Sequence, residues 1–91
     1  MLRYVIERDI PGIGGRSPEE YSAGARRSKG ALDAMGTGIQ WVESFVTDDR
    51  IYCVYLADNE GLIHEHAERS GFPANRVEQV RTVMDPTTAA Q

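Results

Sequence analysis

Residues 39–57, IQWVESFVTDDRIYCVYLA, decide the fold of this chain. Two runs rich in β-branched and aromatic residues, 39–47 and 51–57, are joined by the polar letters DDR, and a connection this short predicts an antiparallel hairpin. Both faces of the second run are apolar. An antiparallel strand with one face in water normally alternates apolar and polar residues. The hairpin is therefore predicted to lie in a sheet that is covered on both faces.

A strand and a helix are predicted on the N-terminal side of the hairpin. LRYVIER at residues 2–8 alternates with the period of a strand, and the glycine-rich segment 9–16 indicates a plain loop. The helix begins with a capping box, in which Ser17 and Glu20 flank the helix-starting Pro18. Small residues along the helix predict close approach to the sheet. They are Gly24, Ser28 and Ala31.

A second helix and an edge strand are predicted on the C-terminal side. Asp58 or Asn59 is expected to cap the helix EGLIHEHAERS, and Gly71 to end it. Alternation over residues 77–84 predicts the last strand. We expect one domain over residues 1–85, followed by a polar tail at 86–91.

This order of elements, β-α-β-β-α-β, is the α+β ferredoxin-like plan, an antiparallel sheet with two helices on one face. Two helices cannot cover the second face, although the central strands are apolar there. The simplest resolution is a homodimer in which two sheets pack face to face as an α+β barrel.

Composition narrows the classes of function. A net charge of −4 over 91 residues argues against a nucleic-acid partner. A single cysteine excludes an internal disulfide framework and fits a reducing compartment. The N-terminus lacks the layout of a signal peptide, and no apolar run has the length of a membrane span. We therefore expect a cytoplasmic protein without a membrane partner.

The only two histidines lie on the second helix, about 200° apart around its axis. His64 shares the outer side with Glu60 and Glu68, four residues before and after it. A carboxylate–imidazole–carboxylate stripe suits nickel, zinc or cobalt, although an ordinary solvated helix has the same pattern. The stripe is a candidate site for a divalent metal.

His66 instead points toward the sheet. It is either a core histidine that is hydrogen-bonded to a neighbour, or a base or metal ligand in a pocket between helix and sheet. Glu7 and Cys53 lie in strands that the topology makes adjacent, and Tyr55 follows in the same strand as Cys53. His66, Glu7, Cys53 and Tyr55 are therefore the candidates for binding a cofactor or small molecule.

Several segments together resemble a family of small bacterial nickel-binding proteins. The resemblance is carried by YVIERDIPG, by IQWVESFVTDDRIYCVYLAD and by HAERSGFPANRVEQVRTVMDPTTA, which include the motifs W-V-x-S, Y-C-V-Y, H-A-x-x-x-G-F-P and D-P-T-T. The resemblance implies a ferredoxin-like homodimer that holds nickel at the dimer surface, with a role in sequestration or detoxification.

Two functions follow as hypotheses. The first is a non-catalytic protein for divalent-metal sequestration or homeostasis, with nickel as the expected ion. The second is an enzyme, or a haem- or small-molecule-handling protein, of the dimeric α+β barrel type. This fold plan hosts many unrelated functions, so the fold alone does not support the second hypothesis. A cavity between sheet and helices would favour it, and a fully packed interior would count against it.

Overall fold

The computed structural model of the chain describes residues 1–90 and confirms the predicted ferredoxin-like order. The four strands are β1 (Leu2–Asp9), β2 (Ile39–Val46), β3 (Arg50–Ala57) and β4 (Arg76–Gln79). The helices are α1 (Pro18–Met35) and α2 (Glu60–Ser70), with short 3₁₀ helices at Ile13–Gly15 and Pro86–Ala90. Neither α-helix in the described part of the chain combines the length and apolarity that a bilayer crossing requires.

The strands form one antiparallel sheet in the order β2-β3-β1-β4, so β3 and β1 are central. Their register places Tyr4 opposite Tyr55 and Ile6 opposite Cys53. These side chains are buried together with Ile63 of α2. The core therefore lies between the sheet and the helices, on one face of the sheet.

Local signals start both helices where the sequence predicts, and they end the second one there as well. The Ser17 hydroxyl accepts the backbone N–H of Glu20, and the Glu20 carboxylate accepts that of Ser17, both at 3.2 Å. In α2 the cap is Asn59, whose Oδ1 accepts the N–H of Leu62 at 3.1 Å. Gly71, at φ 77°, ends the helix in the left-handed conformation that glycine tolerates best.

The last strand is shorter than predicted, because β4 pairs with β1 only over Arg76–Gln79. The length of β4 is limited by its pairing partner, β1. The N–H of Val80 donates to the carbonyl oxygen of Arg3 at 2.8 Å, and β1 begins one residue earlier, at Leu2. Residues 81–84 therefore have almost no strand left to pair with. Alternation alone could not show that the neighbouring strand had already ended.

The face of the sheet that points away from the helices, called here the open face, has an apolar centre. Its apolar side chains are Val5, Phe45, Tyr52, Val54 and Leu56. Phe45 is 54% exposed, and the other four are half-buried. The described residues of one chain thus leave uncovered the face that the sequence predicts to be covered.

Gly14 provides a test of how the loop after β1 packs on the hairpin. A Cβ atom at Gly14 would lie 2.7 Å from the carbonyl oxygen of Thr47 and 2.8 Å from the Cα of Asp48. Because both are backbone atoms, we expect Gly14→Ala to lower the free energy of unfolding by about 1–3 kcal/mol in urea denaturation. Gly15→Ala is the matched control, since a Cβ there meets nothing within 4 Å. Equal effects of the two substitutions would contradict this packing.

Candidate functional site

The outer side of α2 brings two of the predicted metal ligands together. The Nε2 atom of His64 lies 3.0 Å from Oε2 of Glu60, one helical turn earlier, and both side chains are about half exposed. Glu68 is also exposed, one turn further along, but it forms no ion pair with His64. The predicted stripe is therefore a contacting pair with a third carboxylate nearby.

Within residues 1–90 no three histidine, cysteine, aspartate or glutamate side chains are arranged so that they could hold one metal ion. The outer pair accordingly offers one imidazole nitrogen and one carboxylate. These ligand types suit nickel and zinc. Further ligands would have to come from Glu68 after a change of rotamer, from water or from another chain.

His66 is buried on the inner side of α2, as predicted from its spacing. Its Nε2 lies 3.1 Å from Oγ of Ser28 and 3.3 Å from the carbonyl oxygen of Ser28. A hydrogen bond to the carbonyl oxygen requires the tautomer that carries its proton on Nε2, whereas the hydroxyl can donate to Nε2 or accept from it. The imidazole ring also packs against Tyr55, with 5.2 Å between ring centroids. His66 therefore ties α2 to α1 and to the centre of the sheet.

The surroundings of His66 and Tyr55 favour their neutral forms. Burial lowers the pKa of His66, and the positive charge of Arg8 lowers it further, while the bond to Ser28 acts in the opposite direction. Burial likewise raises the pKa of the Tyr55 hydroxyl, while its bond to Ser28 and the nearby guanidinium of Arg8 act in the opposite direction. Near neutral pH both side chains are uncharged hydrogen-bonding groups in the core.

A pocket of about 490 Å³ lies between α1 and the sheet. This volume falls in the range of small-molecule sites. We call it the α1 pocket and define it by Arg8, Tyr21, Arg27, Trp41, Tyr55 and Phe72. Gly24, Ala25 and Ser28 of α1 also border it, so the small residues of this helix leave space where the sequence predicted close packing. Only Ser28 of α1 is fully buried.

The α1 pocket contains two of the four side chains predicted for a cofactor or small-molecule site, Cys53 and Tyr55. His66 is not part of the pocket wall, although it contacts two residues that are, Ser28 and Tyr55. A cavity between sheet and helix, which the small-molecule hypothesis requires, is thus present. It is lined by Cys53 and Tyr55, but not by His66 or Glu7.

Glu7 lies away from that pocket, which corrects its predicted grouping with Cys53. It pairs in register with Tyr52, so its side chain projects from the open face, whereas Cys53 faces the helices. Its carboxylate lies 3.9 Å from guanidinium nitrogens of Arg50 and of Arg76. Its position in a central strand predicted that Glu7 would be buried. The register instead places its side chain on the open face, beside Arg50 and Arg76.

Arg8 is the pocket residue that sequence reasoning missed. It is only 2% exposed, and its Nε and Nη1 donate to the Cys53 sulfur at 3.4 Å and to the Pro73 carbonyl oxygen at 2.8 Å. Its Nη2 is buried without a hydrogen-bond partner among the described residues. The signal was present in β1, because alternation places Arg8 on the same face as Tyr4 and Ile6.

The buried state of His66 predicts how stability depends on pH. The pKa of His66 is lower in the folded protein than its unfolded value of about 6.5. Below that value the unfolded chain binds more protons, so the free energy of unfolding falls as the pH drops from about 7 to 5. We expect His66→Gln to flatten this slope in urea denaturation, and the exposed His64→Gln to retain it. A slope unchanged by His66→Gln would show that another group causes it.

Comparisons with known proteins assign the chain to a family. No protein with a curated description matches it. The crystal structure of SCO4226 from Streptomyces coelicolor A3(2) has a similar fold, with a TM-score of 0.73 and 13% sequence identity over 90% of this chain and 99% of that one. The family model for nickel responsive proteins like SCO4226 matches residues 4–80. The chain therefore belongs to the SCO4226-like family of nickel responsive proteins.

Proposed function

We propose that this protein is a cytoplasmic, non-catalytic binder of nickel or a similar divalent cation, with a role in sequestration or homeostasis. The observation that carries the proposal is the contact between His64 and Glu60, an exposed imidazole and carboxylate 3.0 Å apart on one helix. The family description, nickel responsive protein, supports nickel as the ion.

His64 is the central ligand in this proposal. A neutral imidazole binds nickel, and the carboxylates of Glu60 and Glu68 supply the negative charge that favours a divalent cation. All three side chains are exposed, so an ion can reach them without a change in the fold. His66 is less suited, because its Nε2 is already directed at Ser28 inside the core.

Calorimetric titration of the tag-free protein with nickel chloride tests the proposal. We expect saturable binding, and we expect the affinity for nickel to fall at least about tenfold in His64→Ala. Mutating a residue that only hydrogen-bonds to a metal ligand already lowers metal affinity by about tenfold or more, and loss of the ligand itself should cost no less. Glu65→Gln is the matched control, because this carboxylate lies on the same helix but is engaged by Arg69 at 2.8 Å. Absence of saturable binding would contradict the function. Binding unchanged in His64→Ala would contradict the site.

We also propose that the protein is a homodimer joined through its open face. Val5 lies opposite Val54, and Phe45 lies opposite Tyr52, so the apolar side chains form one continuous patch. Charges of both signs lie on the same face, among them Glu7 and Arg76. A patch that is apolar at its centre and carries both charge signs can pair with its own copy around a two-fold axis.

Sedimentation velocity at micromolar concentration tests the homodimer. We expect twice the mass of one chain for the native protein, and the mass of one chain for Val54→Glu, because the buried carboxylate would lack a partner in the interface. Val83→Glu is the control, since this valine is exposed outside the sheet and should leave the dimer intact. A native protein that sediments as a monomer would contradict the proposal.

A further inference from the structure

The guanidinium of Arg8 is a buried positive charge without a counter-ion. Arginine stays protonated in proteins, and none of the ion pairs within 4.0 Å among residues 1–90 involves Arg8. Its two hydrogen bonds go to a sulfur and a carbonyl oxygen, and Nη2 makes none. Removing a charge from water without a partner is expensive. An anion bound at Nη2 would supply both a hydrogen-bond acceptor and a counter-charge.

A second guanidinium, that of Arg27, also packs over the ring of Phe72. The guanidinium carbon of Arg27 lies 4.4 Å from the centroid of the Phe72 ring, and that of Arg8 lies 5.8 Å from it. Arg16 also borders the α1 pocket, but it pairs with Glu20 at 3.6 Å. Two positive charges therefore remain uncompensated at the pocket, which favours an anionic occupant.

The rest of the pocket wall is largely apolar and aromatic. Trp41 and Tyr55 are stacked with ring centroids 6.5 Å apart, and Ile13, Tyr21 and Ile51 add further apolar surface. Such a wall suits an organic body rather than a bare inorganic ion. The occupant is expected to have an apolar part against these rings and a negative group near Arg8.

Phe72 packs against Arg8 at the pocket, and the exposed Arg27 packs on Phe72. Arg27 is exposed and Phe72 is half-buried, and neither side chain makes a hydrogen bond within the described residues. Moving the Arg27 side chain away from Phe72 would break their cation–π contact but no hydrogen bond. The exposed Arg27 marks the mouth of the pocket, and Arg8 its inner end.

We propose that the α1 pocket binds a small organic carboxylate with an apolar body, and that Arg8 receives the carboxylate. The planar guanidinium matches a carboxylate in geometry and charge. Arg27 attracts the anion at the mouth. The site is separate from the His64–Glu60 pair on the outer side of α2, so it adds a ligand class that nickel binding does not require.

Nuclear magnetic resonance titration of the full-length protein, kept free of metal with EDTA, tests the proposal. The probes are 4-phenylbutyrate, octanoate and indole-3-acetate, each compared with its neutral amide. We expect at least one acid to give saturable shifts at residues around the pocket, including Ile13 and Trp41. Its amide should bind at least about tenfold more weakly, the factor expected when a hydrogen-bonded charge is lost.

Three substitutions test which arginine binds the carboxylate. Arg8→Met should remove the preference for acid over amide and raise the melting temperature, since it eliminates an unpaired buried charge. Arg27→Met should weaken the acid without affecting the fold, which keeps the test valid if Arg8→Met does not fold. Arg26→Met is the control, because Arg26 bonds to Ser22 away from the pocket.

Three outcomes would overturn the proposal. They are no saturable binding of any acid, equal binding of acid and amide by the native protein, and an effect of Arg26→Met as large as that of Arg8→Met or Arg27→Met. Because the titration is done without metal, failure here leaves the nickel proposal intact, and failure of nickel binding leaves this one intact.

Discussion

The burial of one arginine shapes the interior of this protein. Arg8 continues the inward alternation of β1 beyond Tyr4 and Ile6, and it brings a guanidinium into the layer between sheet and helices. The cavity beside it is bordered by α1, whose small residues leave space there. The same charge lowers the pKa of His66 and so helps to keep that histidine neutral. The polar interior of this small domain is thus arranged around a cation.

The two faces of α2 have different chemistry for a simple geometric reason. His64 and His66 are two residues apart, which places them on nearly opposite sides of a helix. His66 becomes a structural link between α1, α2 and the sheet through Ser28 and Tyr55. His64 stays in solvent with Glu60. A metal on the outer side of α2 and a small molecule in the α1 pocket would therefore occupy separate sites, since no residue of α2 lines that pocket.

Most of the fold could be predicted from the sequence because its signals are local. The capping box at Ser17 and the stop at Gly71 need only neighbouring residues, and the apolar hairpin needs only its own pattern. The candidate site depends on longer-range facts. The register between β1 and β3 separates Glu7 from Cys53, and the true end of β4 depends on where β1 begins. An arginine at an inward position was visible in the alternation, but only the packing shows that its Nη2 is buried without a hydrogen-bond partner among the described residues.

The central claim is that Arg8 binds the carboxylate of a small organic acid. A crystal structure of the metal-free protein, grown with the acid that binds best, tests this claim most directly. The account predicts a carboxylate oxygen about 2.7–2.9 Å from Nη2 of Arg8, with the apolar body against Trp41 and Tyr55. A structure in which Nη2 is paired with a group of the protein itself, and the pocket holds no ligand, would contradict it.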